Sequence, residues 1–505
     1  MKCARKEITL PINFKSKSYQ KEFELDTTLP DFLPNISRPV RVDAKVVVES
    51  ISPAEDKVEI NGKIVYGFLY ISDHKESLKF TEFVDNFVMR SEVTGIRPTT
   101  VILPNIICTG VSCKMLNPRK FLLRSKWDIA YMVNNSMSHS LIDEKSEGCF
   151  FKTDTFTAYN LRPVVTREFS FSDTNDIGDA YSAISEIVTK NINIASTEHS
   201  VGDGYINIKA NAILKVMCIE NSADEEVFMV SKNVATSMIV EDEAIGSDSL
   251  CYIDISPTSL STEVSIDSYG ENKVVSSKFG YCVDVYCYNP EIITIATDVF
   301  AANTTNTQKP TELRYNRLIG IDKKVFTIEK IIETGETEFS KLYDSSAMLT
   351  MNPGEISGKE TICNGSALIS LLGETSAGVD LIDVAVNFTE RIPATDISEM
   401  NVRAVDVSAA AVGNANVSLK IIAVAEYKRC EDVSVIAIEN CEFTDIPKSE
   451  NAPNVLIYYP SQEDDLWSVA KRYGIAPDNL KAGNADRFDG DKIVSKVVLI
   501  PQRQV

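Results

Sequence analysis

Three copies of one strand-rich segment constrain the fold more than any other feature of this 505-residue chain. The copies run over residues 57–70, 203–214 and 358–369, where apolar residues alternate with polar ones or follow one another without interruption. This pattern is typical of a strand that enters a covered sheet. The glycines that recur in these copies, Gly62, Gly204 and Gly358, are 142 and 154 residues apart. Such a spacing indicates repeated domains rather than a solenoid.

Each copy is followed by a turn rich in Asn or Gly and then by a long apolar strand. The turns lie at residues 117–119, 270–272 and 413–416, and the strands at 121–133, 274–288 and 417–427. Asn and Gly suit hairpin turns because they tolerate positive φ. We therefore predict a mainly β protein with three repeated β-rich domains over residues 18–136, 160–290 and 310–445. Whether their sheets are parallel or form sandwiches is left open by the pattern. Linkers are predicted at 134–151, 303–310 and 446–453, where Ser, Thr, Asn or Pro accumulate.

Charge separates the two ends of the chain from the rest. The net charge is −21, which disfavours binding to nucleic acid or to anionic lipid. Residues 1–21 nevertheless hold six bases and one acid. We predict a basic N-terminal arm over residues 1–17, either disordered or docked on an acidic surface of the chain or of a partner. Residues 452–505 contain seven acids and seven bases, so a separate module without net charge is expected there.

The pattern of that module predicts a strand, two helices and a second strand. The predicted elements are residues 455–459, 466–473, 477–481 and 497–500, with acids before the first helix and Gly474 as its C-cap. The run Asp465-Leu466-Trp467-Ser468-Val469-Ala470-Lys471-Arg472-Tyr473-Gly474, together with Leu480, Asn484 and Leu499-Ile500-Pro501, resembles a LysM domain, here spanning residues 454–501. The resemblance implies a small βααβ fold and a groove for N-acetylglucosamine glycans. The loops at 463–465 and 494–496 depart from the family pattern, which favours a protein partner over a glycan.

The three repeats resemble SPOCS domains of bacterial spore-coat assembly proteins. Three SPOCS-like domains before one LysM domain are similar to the order found in SipL-type proteins, whose counterpart in other spore formers is SpoVID. The resemblance implies a non-enzymatic scaffold in the mother-cell cytoplasm, at the forespore surface. It also implies binding to a SpoIVA-type morphogenetic ATPase and other coat proteins, with the LysM domain as a main contact. The alternative is a peptidoglycan-binding LysM protein.

The partner site is expected on the LysM-like module. Trp is enriched at binding hot spots, although core packing is an equally good reading of Trp467. Val455, Ile457 and Tyr459 share one face of their strand, and Val455 beside Trp467 would form an apolar contact surface. The predicted partner-binding residues are Val455, Asp465, Leu466, Trp467, Tyr473 and Asn484.

Catalysis has little support in the sequence. Residues 354–360 superficially resemble a phosphate loop, but no Ser or Thr follows Lys359 to reach magnesium. The histidines are His74, His139 and His199, which lie far apart, and no Cys-x-x-Cys occurs. We therefore expect no enzyme activity, no cofactor and no metal. Eleven cysteines without paired spacing indicate free thiols in a reducing compartment, and no apolar run is long enough to span a membrane.

Overall fold

The computed structural model describes residues 3–74, 76–222, 225–445 and 455–501. Strands make up 76% and helices 3% of the chain, which confirms the predicted mainly β class. Three large antiparallel units, here called repeat 1 (5–142), repeat 2 (149–301) and repeat 3 (304–445), are followed by a small mixed unit, the tail (455–501).

The elements recur in the same order from one repeat to the next. Repeat 1 contains β1 (Arg5–Lys15), β2 (Tyr19–Thr28), β3 (Ile36–Ala54), β4 (Lys57–Ser72), β5 (Leu78–Glu92), β6 (Val101–Met115) and β7 (Lys120–Ile142). Repeat 2 contains β8 (Cys149–Leu161), β9 (Val165–Asp176), a 3-10 turn (Gly178–Ala180), β10 (Ile184–Gly202), β11 (Tyr205–Glu220), β12 (Val227–Glu241), β13 (Leu250–Ile266) and β14 (Asn272–Ala301). Repeat 3 contains β15 (Thr304–Glu333), β16 (Phe339–Ser357), β17 (Glu360–Thr375), β18 (Gly378–Ile392), β19 (Ile397–Gly413) and β20 (Asn416–Asp445), and its β15 takes the place of two strands.

The tail contains two short helices between short strands. Its elements are β21 (Val455–Tyr458), α1 (Leu466–Tyr473), α2 (Pro477–Ala482), β22 (Phe488–Asp489), β23 (Lys492–Ile493) and β24 (Val498–Pro501). β21 pairs antiparallel with β24, and the two helices lie between them in the chain as predicted. The short hairpin β22–β23 between α2 and β24 was not predicted.

Each repeat is a sandwich of two antiparallel sheets. A three-stranded sheet, β3-β4-β5 in repeat 1, faces a second sheet centred on the long strand β7. The same holds for β10-β11-β12 with β14, and for β16-β17-β18 with β20. Alternate residues of the central strands point into the core, where the Phe68 and Phe121 rings stack with centroids 4.6 Å apart. The structure thus decides between the parallel and sandwich arrangements.

The long strands continue beyond their sandwiches as two-stranded ribbons. The far half of β7 pairs with β1, that of β14 with β8, and that of β20 with the first half of β15. The three ribbons pack against one another around Leu10, Ile295, Leu313 and Ala437. This ribbon bundle joins the repeats on one side of the molecule.

On the other side, the three-stranded sheets close into a ring with pseudo-threefold symmetry. Leu69, Met217 and Leu372 occupy equivalent positions on β4, β11 and β17, and all three are fully buried in one shared cluster. Ion pairs cross each junction between repeats, for example Lys79–Glu186 at 2.5 Å, Lys341–Glu226 at 2.7 Å and Arg38–Asp380 at 3.4 Å. Asp344 of repeat 3 also pairs with Arg41 of repeat 1 at 3.0 Å. Repeat 3 therefore contacts repeat 1 as well as repeat 2.

The structure corrects the predicted N-terminal arm and two linkers. Of the two predicted alternatives, the disordered arm is wrong: Arg5–Lys15 is docked on the chain as strand β1, with Ile8 and Leu10 buried in the ribbon bundle. Residues 134–142 and 304–310 are not linkers either, since they belong to β7 and β15. The polar residues suit these positions because one face of each ribbon is exposed. The predicted linker at 446–453 lies outside the described residues.

The recurring glycines are not all equivalent. Gly204 and Gly358 lie in hairpin turns with φ of 79° and 66°, where repeat 1 has Asp56 at φ 54°. Gly62 lies inside β4 and corresponds to Ala210 and Gly365. A glycine in a turn and a glycine required by packing look alike in a sequence. The predicted equivalence of Gly62 with Gly204 and Gly358 is wrong for this reason.

Candidate protein-interaction site

Local sequence signals set the position of α1 in the tail. The Asp465 carboxylate accepts a hydrogen bond from the Ser468 backbone N–H at 2.7 Å, and the Ser468 hydroxyl accepts one from the Asp465 N–H at 2.8 Å. This reciprocal capping box satisfies donors that a helix start leaves unpaired. Gly474 ends the helix in the left-handed conformation at φ 59°. Both bounds of the predicted helix are confirmed, and Asp465 is engaged as its cap.

Two predicted site residues, Leu466 and Asn484, are buried inside the tail. The Asn484 amide donates to the carbonyl oxygens of Leu480 and Leu499, at 2.9 and 2.7 Å, and accepts from the Leu499 N–H at 2.8 Å. These bonds fasten α2 to β24. Neither side chain is placed to touch a partner.

Trp467 is half-buried against repeat 2. Its Nε1–H donates to the Asp298 carboxylate at 2.8 Å, and its ring meets the edge of Phe300 with centroids 5.0 Å apart. Lys471, one turn further along α1, donates to the other Asp298 oxygen at 2.5 Å. Burial alone would raise the pKa of Asp298, but the hydrogen bonds from Lys471, Trp467 and Gln308 hold that pKa below its usual value. Trp467 thus belongs to a contact within the chain.

Tyr473 lies half-buried against β21. Its ring packs edge-on to Tyr458 with centroids 5.5 Å apart. The Tyr458 hydroxyl donates to Asp464 at 2.6 Å, and this bond raises the pKa of Tyr458. Arg472 also pairs with Asp464 at 3.0 Å. Asp464, in one of the loops that depart from the LysM pattern, is occupied by contacts within the tail.

The exposed apolar residues of the tail lie on β21, directly after it at Tyr459, and in the loop before β24. Val455, Ile457 and Tyr459 are 51%, 58% and 72% exposed, and Val494 is 58% exposed. Among the described residues β21 has one partner strand, β24, so its other edge is open. We call Val455, Ile457 and Tyr459 the β21 face. An exposed apolar face beside an open strand edge is suited to protein recognition.

The structure therefore divides the predicted site residues into separate environments. Val455 lies on the exposed β21 face, whereas Trp467 lies in the contact with repeat 2. The sequence had indicated that Ile457 and Tyr459 share the face of Val455, but they were not among the predicted site residues. Asp298 was missed as well, because a single acid 169 residues before Trp467 gives no local signal.

A polar cavity of about 480 Å³ lies where the three repeats meet. Its lining includes Lys45, Lys215, Arg403, Asp254 and Glu426, so opposite charges face one another. Burial lowers the pKa of Lys45 and raises that of Asp254. The described residues contain no group of three or more His, Cys, Asp and Glu side chains that could hold a metal ion. The cavity lies away from the β21 face.

One comparison with known proteins identifies part of the chain. Residues 35–100 match the family model "SipL, SPOCS domain". The match covers β3, β4 and β5 and thus the first sheet of the ring. It supports a SipL-like sporulation protein. The SPOCS domain suggests a role connected with the spore coat.

The other comparisons found no counterpart. No curated protein and no solved structure matched the chain. Within the part of the chain that the structure describes, no helix is both long and apolar enough to cross a membrane.

Proposed function

We propose that this chain is a non-enzymatic scaffold of spore-coat assembly in the mother-cell cytoplasm. It tethers the coat to the forespore surface by binding a SpoIVA-type morphogenetic ATPase, and its LysM-like tail is a main contact. The SPOCS match over residues 35–100 supports the connection with sporulation. The observation that carries the proposed contact is the exposed β21 face.

The β21 face has the properties of a protein-binding surface. Its three side chains are apolar, follow one another on alternate positions, and are exposed in the part of the chain that the structure describes. Aromatic and aliphatic side chains of this kind provide the buried centre of protein interfaces. The open edge of β21 offers backbone N–H and C=O groups to an added strand. The tail holds seven acids and six bases, so an apolar contact there meets little of the repulsion that the acidic repeats exert.

The test measures binding of the full chain to the purified ATPase and to peptidoglycan in parallel. Ile457→Ser and Tyr459→Ser are expected to weaken ATPase binding by at least about tenfold, because each removes an exposed apolar contact. Tyr269→Ser is the matched control, since Tyr269 is an exposed tyrosine in a turn of repeat 2. Its affinity should equal that of the unaltered chain.

Two outcomes would overturn the proposal. Equal losses of ATPase affinity in Tyr269→Ser and Tyr459→Ser would show that the β21 face is not the contact. Retention on peptidoglycan without affinity for the ATPase would make the chain a glycan-binding LysM protein, the alternative that the sequence left open.

A further inference from the structure

Repeat 2 supplies part of the hydrophobic core of the tail. Phe300, near the end of β14, is buried in one cluster with Leu466, Val469 and Leu480 of the tail. Phe150, its partner across the β8–β14 ribbon, lies against the same cluster, and the two rings are 5.1 Å apart. The tail core is therefore completed by the end of the ribbon.

Asp298 provides the polar part of the same contact. A β-bulge at Thr297 interrupts the ribbon pairing directly before Asp298, and bulges redirect neighbouring side chains. The Asp298 carboxylate accepts from Trp467 and Lys471 of the tail and from Gln308 of repeat 3, the last at 2.7 Å. One side chain of repeat 2 thus binds two other units.

The two faces of the tail are used separately. With Trp467 held by Asp298 and Phe300, the β21 face is still more than half exposed. A partner therefore reaches Val455, Ile457 and Tyr459 without displacing Trp467. Nothing in this geometry requires the tail to leave repeat 2 before it binds.

We propose that Asp298, with Phe150 and Phe300, forms a tail anchor that fixes the LysM-like unit on the ribbon bundle, and that Trp467 is a positioning residue of this anchor rather than a partner contact. The statement about the partner rests on the proposed function, whereas the anchor itself does not. Fixing the tail lets it and the repeats engage one partner as a single rigid unit, which reduces the ordering cost of binding.

The first experiment tests the anchor without any partner. Asp298→Ala in the full chain removes an acceptor from two tail donors, one of them charged. Hydrogen exchange of the α1 amides is expected to become about tenfold faster, and Trp467 fluorescence to shift to the red. Because Trp127 is buried in repeat 1, a change in emission reports Trp467. Asp298→Asn keeps an acceptor for the indole N–H, so its exchange rate and its emission should lie between those of the unaltered chain and of Asp298→Ala. Asp248→Ala, in an exposed loop of repeat 2, is the control.

Unchanged α1 exchange and Trp467 emission in Asp298→Ala, relative to Asp248→Ala, would overturn the anchor. Circular dichroism of each variant confirms that the β repeats are still folded.

The second experiment tests the role of Trp467 in binding the ATPase. Trp467→Phe keeps an aromatic ring and loses the N–H that Asp298 accepts. If Trp467 acts through the anchor, Trp467→Phe and Asp298→Ala weaken binding, and the double variant loses no more than Asp298→Ala alone. Additive losses, or tighter binding by Asp298→Ala, would show that Trp467 itself meets the partner. If the unaltered chain does not bind the ATPase, the proposed function fails while the exchange result still decides the anchor.

Discussion

At the scale of single residues, Asp298 of repeat 2 bonds to both the tail and repeat 3. Its carboxylate lies among donors from the tail and from repeat 3, and Lys471 is the cation nearest to it. Asp465 with Lys152, and the Cys441 thiol, are further ionisable groups near this contact, and the pKa of Asp465 also lies below its usual value. Asp298 accepts hydrogen bonds across the contact, whereas Asp465 caps α1 within the tail, so we expect the protonation of Asp298 to control docking.

Acid is therefore expected to release the tail. Hydrogen bonds hold the pKa of Asp298 below its ordinary value of 3.8 although burial opposes them. A lowered pKa means that the docked form binds fewer protons, so docking is at full strength above pH 3.8 and is lost as the pH falls through the lowered pKa. Trp467 emission, followed from pH 7 downward, should show this step below pH 3.8. Asp298→Asn should lack it, and an identical step in that variant would contradict the assignment.

At the scale of elements, one position on the central strand of each three-stranded sheet holds a residue whose size complements that of its cross-strand partner. Gly62 on β4 and Gly365 on β17 lie opposite Phe87 and Phe388. At the equivalent position of repeat 2, Ala210 lies opposite Thr236. Glycine thus lies opposite a phenylalanine ring, and alanine lies opposite the smaller threonine side chain. Close packing of the sheet requires this compensation.

A methyl group added at Gly365 should overpack repeat 3. Its Cβ would lie 2.7 Å from the Thr350 carbonyl oxygen and would also clash with the Phe388 ring. We expect Gly365→Ala to lower the free energy of unfolding by about 1–3 kcal/mol, measured by urea denaturation with circular dichroism. Gly110→Ala on β6 is the control, because no atom lies within 4 Å of the added carbon. Equal stability of the two variants would argue against close packing at Gly365.

At the scale of the whole molecule, the ring is held by its apolar centre rather than by its ion pairs. The pairs Lys79–Glu186, Lys341–Glu226 and Arg38–Asp380 are partly exposed, and exposed pairs contribute little to stability. In the more buried Arg41–Asp344 pair, desolvation of both charges offsets much of their attraction. Leu69, Met217 and Leu372 are fully buried where the three sheets meet, so each loses its contact with water completely. The three repeats depend on one another because each completes the same cluster.

Removing one of these side chains should loosen all three repeats. Leu372→Ala is expected to cost about 2–5 kcal/mol, as for other buried leucines, and to speed hydrogen exchange in β4 and β11 as well as in β17. Leu368→Ala, four residues earlier on the same strand and 39% exposed, is the control. Faster exchange confined to repeat 3 would contradict a ring whose repeats share one core.

The sequence by itself determined what depends on neighbours along the chain. Alternation of apolar residues predicted the central strands, Asn and Gly placed the turns at 117–119, 270–272 and 413–416, and Asp465 with Gly474 set both ends of α1. These signals act through backbone conformation and hydrogen bonds within a few residues, so one sequence is enough to detect them. The SPOCS match over residues 35–100 agrees with the resemblance that the repeats indicated. The assignment of the tail to LysM stays a prediction.

Only the tertiary structure decided how distant segments meet. The strand pairing of β1 was missed because its partners on β7 lie 117 to 137 residues later in the chain. Trp467 and Asp298 are 169 residues apart, and neither has a local pattern that indicates the other. The ring likewise follows from three sheets whose buried ends complete one cluster. Contacts of this kind arise from burial and complementary shape between folded units, which a pattern read along the chain does not contain.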